Sequence, residues 1–329
     1  MSKCARRGPN FRWERGGTDV PADLSGSGAP GIVATSDMEW ERPRGLGTGS
    51  VVGWCVVDDA KTIGLIGAGA LADALVGGLL AAGFPRQCLW VTNRGNTARL
   101  DRFASAGLRT TRDKAELAAR VAMLVLLVKP KDAVSTLAEL RAWLRPGHCV
   151  LSCMAGISTA FIEEALGGAP RVLRAMPNIG SAVRSSATAL ATGRFADEGD
   201  ATVATELLQA VGEVVRVPES MLDAVTALAG SGPAYVYLLM EAMAEAAATL
   251  GLPEAVARRL IPQTVFGAAR LARESEQTPA ELRAAVSSPG GTTVAGVRVL
   301  EDAGFRQALV AAVGAAAARS RELGRQWQS

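Results

Sequence analysis

The feature that most restricts the fold is a glycine-rich turn between an apolar run and a helical pattern, Ile63-Gly64-Leu65-Ile66-Gly67-Ala68-Gly69-Ala70-Leu71-Ala72. Gly67 suits a tight turn, Gly69 lets the backbone approach a bound group, and Ala72 takes the third small-residue position, where helix and strand pack closely. A helix starting there presents unpaired N–H groups to an anion. Strand, turn and helix together, opening a βαβ unit, specify a pyrophosphate site and hence a dinucleotide. The predicted second strand, over residues 89–92, runs into Asn93 and Arg94 rather than Asp or Glu. A carboxylate there would read a ribose 2′-hydroxyl, whereas an arginine suits a 2′-phosphate, so NADPH is expected ahead of NADH. Asn93, Asn96 and Thr97 are further candidate hydrogen-bonding groups, and the alternative for Arg94 is a solvated surface charge.

Apolar runs at 62–66, 89–92, 121–128, 149–152 and 172–175 alternate with helical patterns such as 70–82 and 132–143. Strands apolar on both faces, separated by helices, predict a parallel sheet covered on both sides. The fold class is therefore α/β, an N-terminal Rossmann-type doubly wound sheet spanning 61–218. From Glu219 the pattern turns almost wholly helical, which predicts an all-α dimerisation domain over 219–329. Its first long helix, near 233–250, is apolar all round except for Glu241, Glu245 and Thr249. Such a helix needs burial on nearly every side, and a second subunit is the expected source, as obligate interfaces resemble a core cut in half. The alternative is a central core helix in a monomer. Residues 1–60, rich in Gly, Pro, Ser and mixed charge, are expected to form a disordered extension.

Thirty-five basic against 32 acidic residues leave a formal charge of +3 with no long same-sign block, so nucleic acid is not an expected partner. The five cysteines form no CxxC pair and there is a single histidine, so no metal site is expected. His148 lies in Arg145-Pro146-Gly147-His148 and reads as a turn residue. The longest uncharged stretch, residues 224–240, is interrupted by Gly230-Ser231-Gly232-Pro233, so no membrane span is expected, and the N-terminus lacks the apolar core of a signal peptide. A cytoplasmic protein acting on a small molecule follows.

Reduction of a carbonyl needs a proton donor for the alkoxide, usually His, Lys or Tyr. No lysine follows Lys131, and Tyr235 and Tyr237 are followed four residues on by Leu239 and Glu241, so a Tyr-x-x-x-Lys pair is missing. A protonated cyclic imine accepts hydride without a further proton, which favours C=N chemistry. Ser287-Ser288-Pro289-Gly290-Gly291-Thr292-Thr293 leads into a helical pattern and combines free amides with hydroxyls, a candidate carboxylate site. The alternative there is an ordinary capped helix start.

The chain resembles the pyrroline-5-carboxylate reductase family over Lys61 to Leu323. The resemblance rests, in order, on Ile66-Gly67-Ala68-Gly69 with Ala72, Val128-Lys129-Pro130, Ala155-Gly156-Ile157, Arg174-Ala175-Met176-Pro177-Asn178, Gly230-Ser231-Gly232-Pro233-Ala234-Tyr235 and Ser288-Pro289-Gly290-Gly291-Thr292-Thr293. It implies NAD(P)H-dependent reduction of 1-pyrroline-5-carboxylate to L-proline by a homodimer, with a higher ring of dimers common in the family. It implies substrate binding at Ser288, Gly290, Gly291, Thr292 and Thr293, with Thr293 on the imine nitrogen as the catalytic group, and at Glu219. Cofactor contacts carried over are Gly67, Ala68, Gly69, Ala70, Leu71, Asn93, Arg94, Val128, Lys129, Pro130, Cys153, Met154 and Ala155. Family members usually continue Met-Pro-Asn with Thr-Pro, whereas this chain has Ile179-Gly180, and the 60-residue extension has no counterpart. A related cyclic imine carboxylate as substrate, or a non-catalytic dinucleotide-binding paralogue, are the competing readings.

Overall fold

The computed structural model describes residues 62–326 apart from 96 and 169. Residues 1–60, Lys61 and Asn96 lie outside the described residues.

Eight strands, Ile63–Ile66 (β1), Leu89–Thr92 (β2), Arg109–Thr111 (β3), Met123–Leu126 (β4), Cys149–Ser152 (β5), Arg171–Met176 (β6), Ser186–Thr192 (β7) and Gly212–Arg216 (β8), form one sheet in the order β3-β2-β1-β4-β5-β6-β7-β8. The first six are mutually parallel, β7 is antiparallel to β6, and β8 runs parallel to β7. Strands β1, β2, β4 and β5 are buried at every position, as expected of strands with cover on both faces. Their side chains divide by alternation. Leu65, Val91, Val125 and Leu151 meet one helical layer, from Ala70–Ala81 (α1), Thr97–Ser105 (α2) and Glu198–Gln209 (α6), through Leu75, Leu79, Phe103 and Leu207. Ile66, Leu124, Leu126 and Val150 meet the other, from Lys114–Arg120 (α3), Ala133–Arg141 (α4) and Thr159–Leu166 (α5), through Leu117, Leu137, Leu140 and Ile162. Asp113, Ser158 and Asp197 cap α3, α5 and α6 with their side chains. Strand order reverses between β1 and β4, so the crevice at their carboxyl ends is the ligand-binding switch point of an open α/β sheet.

Strands β3, β7 and β8 extend the sheet beyond the apolar runs that mark the others. Ser186–Thr192 reads Ser-Ala-Thr-Ala-Leu-Ala-Thr, whose small side chains give little strand signal. Gly212 takes φ +153°, and a Cβ there would stand 2.2 Å from the Ser186 carbonyl oxygen, so only glycine lets β8 begin against β7. His148 is a buried turn residue whose Nδ1 accepts from the Arg145 amide at 2.8 Å.

Beyond Arg216 the described residues contain no strand. Leu222–Val225 (α7) passes through a π-turn, Thr226–Gly230, closed by a hydrogen bond from the Ser231 amide to the Thr226 carbonyl at 2.8 Å, into Gly232–Thr249 (α8). Glu254–Glu274 (α9), Pro279–Ala285 (α10), Thr292–Asp302 (α11) and Phe305–Arg325 (α12) complete the helical part. No residue of α8 is buried within the chain, and Leu238, Leu260 and Val310 are 65%, 55% and 69% exposed. A central core helix in a monomer is thereby overturned: the apolar faces of α8, α9 and α12 turn outward. No described helix is long and apolar enough to cross a membrane.

Candidate active site

Because β1, β2, β4 and β5 are parallel, the segments that follow them emerge along one edge of the sheet. Gly67 to Leu71 follow β1, Asn93 and Arg94 follow β2, Val128 to Pro130 lie just after β4, and Cys153 to Ala155 follow β5. At Gly67 (φ +116°) a Cβ would stand 2.8 Å from the Leu127 carbonyl oxygen, and its amide donates to the Thr92 carbonyl at 3.0 Å. The turn is thus wedged between β2 and β4 and tolerates only glycine. Gly69 is different: it starts α1 with no side-chain cap, and a Cβ there would meet only the Arg99 Nη1 at 4.0 Å. Glycine at that position is not demanded by the protein's own packing. The open α1 terminus over a tight glycine turn fits a pyrophosphate.

Arg99, on the first turn of α2, donates from Nη1 to the Ala68 carbonyl at 2.7 Å, which brings a guanidinium against the glycine turn. The sequence reading missed it, although it stands only five residues after Arg94, on the first turn of α2. Arg94 is exposed and near Glu139, whose carboxyl is held below its ordinary range chiefly by a Lys114 hydrogen bond, with the charges of Lys114 and Arg94 adding to it. Lys129 is exposed, and Val128 and Pro130 are half-buried. Met154 is buried and Ala155 exposed, while burial pushes the Cys153 thiol up to about 12, so it stays protonated and is no nucleophile.

Past β6, Asn178 bonds with both ends of its amide. Its Nδ2 donates to the Ala229 carbonyl in the π-turn at 3.0 Å, and its Oδ1 accepts from the Gly180 amide at 3.0 Å. A proline at position 180 would have no N–H for that second bond, and a Cβ on Gly180 would stand 2.4 Å from the Ser185 carbonyl oxygen. The departure Ile179-Gly180 therefore has a local reason: the Gly180 amide orients the side chain that fastens the sheet to the π-turn. Ile179 is 65% exposed.

Glu219 is engaged within the chain. Its carboxylate accepts from the Thr159 amide at 2.8 Å and hydroxyl at 2.5 Å, and pairs with Arg174 Nη1 at 3.1 Å. It therefore caps α5 and ties the start of the helical part to β6.

Ser288-Pro289-Gly290-Gly291 forms a type II turn. The Gly291 amide donates to the Ser288 carbonyl at 2.9 Å, and Gly290 takes φ +70° after the proline. Gly291 then starts α11 with no side-chain cap, so an ordinary side-chain-capped helix start is not what stands here. Thr292 and Thr293 occupy its first turn with their amides and hydroxyls. Among the described residues no hydrogen bond or ion pair joins residues 288–293 to the sheet edge that carries the glycine turn.

Residues 219–323 match a family described as "Pyrroline-5-carboxylate reductase dimerisation", and residues 62–156 one described as "NADP oxidoreductase coenzyme F420-dependent". Pyrroline-5-carboxylate reductase 2 of Bacillus subtilis (strain 168) is 39% identical over 269 residues, covering 81% of this chain and 96% of that protein. The enzyme of Corynebacterium melassecola is 41% identical over 267 residues, covering 80% and 99%. A pyrroline-5-carboxylate reductase structure from Coxiella burnetii aligns with TM-score 0.77 at 41% identity, covering 80% of this chain and 98% of that one. A Plasmodium falciparum pyrroline carboxylate reductase with NADP bound aligns with TM-score 0.72 at 26% identity, covering 81% and 99%. With relatives so similar across both of its halves, the chain belongs to the pyrroline-5-carboxylate reductase family.

Proposed function

We propose that this chain reduces 1-pyrroline-5-carboxylate to L-proline with NADPH, the last step of proline synthesis, as a homodimer in the cytoplasm. The observation that carries this reading is the presence in one chain of two helices, α1 and α11, each started by an extended glycine with no side-chain cap and each offering backbone amides to an anion. Residues 61–218 would hold the nucleotide, with Gly67 to Leu71 on the pyrophosphate and Arg94, with Asn93, on the 2′-phosphate. Val128 to Pro130 and Cys153 to Ala155 would border the rest of the cofactor. Residues 219–329 would supply the dimer contact and, through Ser288 and Gly290 to Thr293, grip the substrate carboxylate. When bound, NADPH supplies the hydride. The Thr293 hydroxyl would orient the imine nitrogen, while Glu219 acts at the cleft by fixing the joint between the halves. Positioning of this kind contributes about 7–11 kcal/mol in well-oriented reactions, which suits a site with few general acids.

The apolar face of α8 supports pairing with a second copy, and a ring of dimers is a further part of the proposal, checked by mass from light scattering. The test of function is NADPH oxidation with 1-pyrroline-5-carboxylate, followed spectrophotometrically. Thr293→Ala is expected to raise KM and lower kcat/KM by about 10- to 100-fold, the scale of one lost polar contact, with NADPH affinity intact. An unchanged kcat/KM removes Thr293 from the mechanism. Ile179-Gly180 favours, as a second reading, a related cyclic imine carboxylate, so rates with five- and six-membered rings should be compared.

A further inference from the structure

Where the carboxyl ends of β5 and β6 meet the last turns of α12, a cavity of roughly 230 Å³ is lined by Gly156, Ser158, Arg174, Asp223, Arg321 and Arg325. None of these belongs to the glycine turn or to Ser288–Thr293. The cavity's walls are held rigidly. Gly156 takes φ +76°, and a Cβ there would stand 3.5 Å from the Gly324 amide nitrogen, so the loop after β5 and the end of α12 are in close backbone approach. The Ser320 hydroxyl donates to Asp223 Oδ1 at 2.6 Å and clamps α12 onto α7.

The charges around this space do not balance locally. The Arg174 side chain, only 8% exposed, is paired with Glu219, whose carboxylate also receives both Thr159 donors. Asp223 is the one carboxylate in the lining. Arg321 and Arg325 stand one helical turn apart on the same face of α12, and among the described residues neither side chain has a hydrogen bond or ion pair. Like charges at that spacing repel. A cation near a helix C-terminus is favourable by itself, which accounts for Arg325 but not for three guanidinium groups around one cavity.

We infer that this cavity binds inorganic hydrogen phosphate. Guanidinium forks match the geometry of phosphate oxygens, and pairing gains where one fork is already withdrawn from water, as at Arg174. The Ser158 oxygen accepts from the Phe161 amide at 3.1 Å, which leaves its hydroxyl proton to donate into the cavity. Asp223 decides between anions. Its second carboxylate oxygen accepts a hydrogen bond from the hydroxyl of hydrogen phosphate, whereas sulfate and a phosphate monoester dianion have no such donor and meet the carboxylate as like charges. The site therefore prefers inorganic phosphate over sulfate and over an esterified phosphate. Filling it would lock the end of α12 to the loop after β5, at the joint between the two halves.

The test uses the full chain saturated with NADP⁺, so that any phosphate-accepting group of the nucleotide site is already occupied. Inorganic phosphate, sulfate and glycerol phosphate are titrated separately at constant ionic strength and pH 7.5, and the thermal midpoint is read. Phosphate is expected to raise the midpoint saturably, with half-saturation at least about tenfold below that of sulfate or the ester. In the double variant Arg321→Gln/Arg325→Gln the half-saturating phosphate concentration should rise by at least about tenfold, while Arg298→Gln, elsewhere on the helical surface, leaves it unchanged. Asp223→Asn should narrow the gap between phosphate and sulfate. An equal response in wild type and double variant, an equal response to the three anions, or loss of the phosphate response on adding saturating proline would each overturn the assignment. The readout needs no turnover, so it stands or falls separately from the reductase reading.

Discussion

The nucleotide-binding and helical halves treat apolar surface in opposite ways. From Ile63 to Val211 the buried large apolar side chains close into two clusters, one on each face of the sheet, and Leu65, Val125, Leu126 and Leu151 are wholly removed from water. Among the described residues from Leu222 onward, only Leu222, Ala227, Ala257 and Ile261 of the apolar ones are buried, while Tyr237, Leu238, Leu260, Phe266, Val299 and Val310 stand exposed. An exposed apolar face of that extent marks an interaction site. The difference teaches that the first half finishes its core by itself, whereas the second is half of a core.

That contrast can be broken at the helical face first. Leu238→Glu places a charge where a second copy would have to desolvate it, at a cost of several kcal/mol per ion. The expected result is a monomer by sedimentation that still binds NADPH and shows no reductase activity; an intact dimer would mean that α8 is not the contact. The next largest effect lies in the first half. Gly67→Ala forces a Cβ against the Leu127 carbonyl at positive φ, a strain of about 1–3 kcal/mol, and should weaken NADPH in a fluorescence titration without altering the oligomer. Between the halves, Asn178→Leu leaves the Ala229 carbonyl and the Gly180 amide without their side-chain partner, costing about 1–3 kcal/mol. It should lower kcat/KM more than NADPH affinity, because it loosens the joint and not the turn. The smallest effect is a pH dependence confined to the sheet. Burial holds His148 below its ordinary value of 6.5, so the folded state takes up a proton less readily than the unfolded one. Its contribution to stability is full above about pH 6.5 and is lost as pH falls below that value, and His148→Gln should flatten this part of a plot of Tm against pH.

The parts of the fold legible in the sequence were those where one residue pattern has one physical outcome. The runs around Ile63, Leu89 and Cys149 can only be doubly covered strands, and Gly67 can only be a turn wedged between neighbours. Arg109–Thr111 and Ser186–Thr192 were not legible, because an edge strand and an alanine-rich strand carry no run of large apolar residues. The glycine starts of α1 and α11 could be read from the sequence, but the contact of Arg99 with Ala68 depends on where α2 lands, which local sequence does not state. Glu219 shows the same limit. Its position next to the helical half was visible, whereas its partners Thr159 and Arg174 are 60 and 45 residues away in the chain.

The π-turn at Thr226–Gly230 has a consequence for how this molecule tolerates insertion and deletion. It holds one residue more than an α-helical turn would, and each residue in a helix advances the direction of its side chains by about 100°. Removing a single residue there would let α7 and α8 join as one regular helix with little change in the facing of α8, because the widened turn already takes up the extra residue. The cost would fall on the tie between sheet and helix, because the backbone around Ala229, whose carbonyl accepts from Asn178, would be rebuilt. Length within these five residues thus sets the joint and not the outward face, and a frame-preserving loss of one codon would act on the fastening by Asn178 while leaving the face of α8 in place.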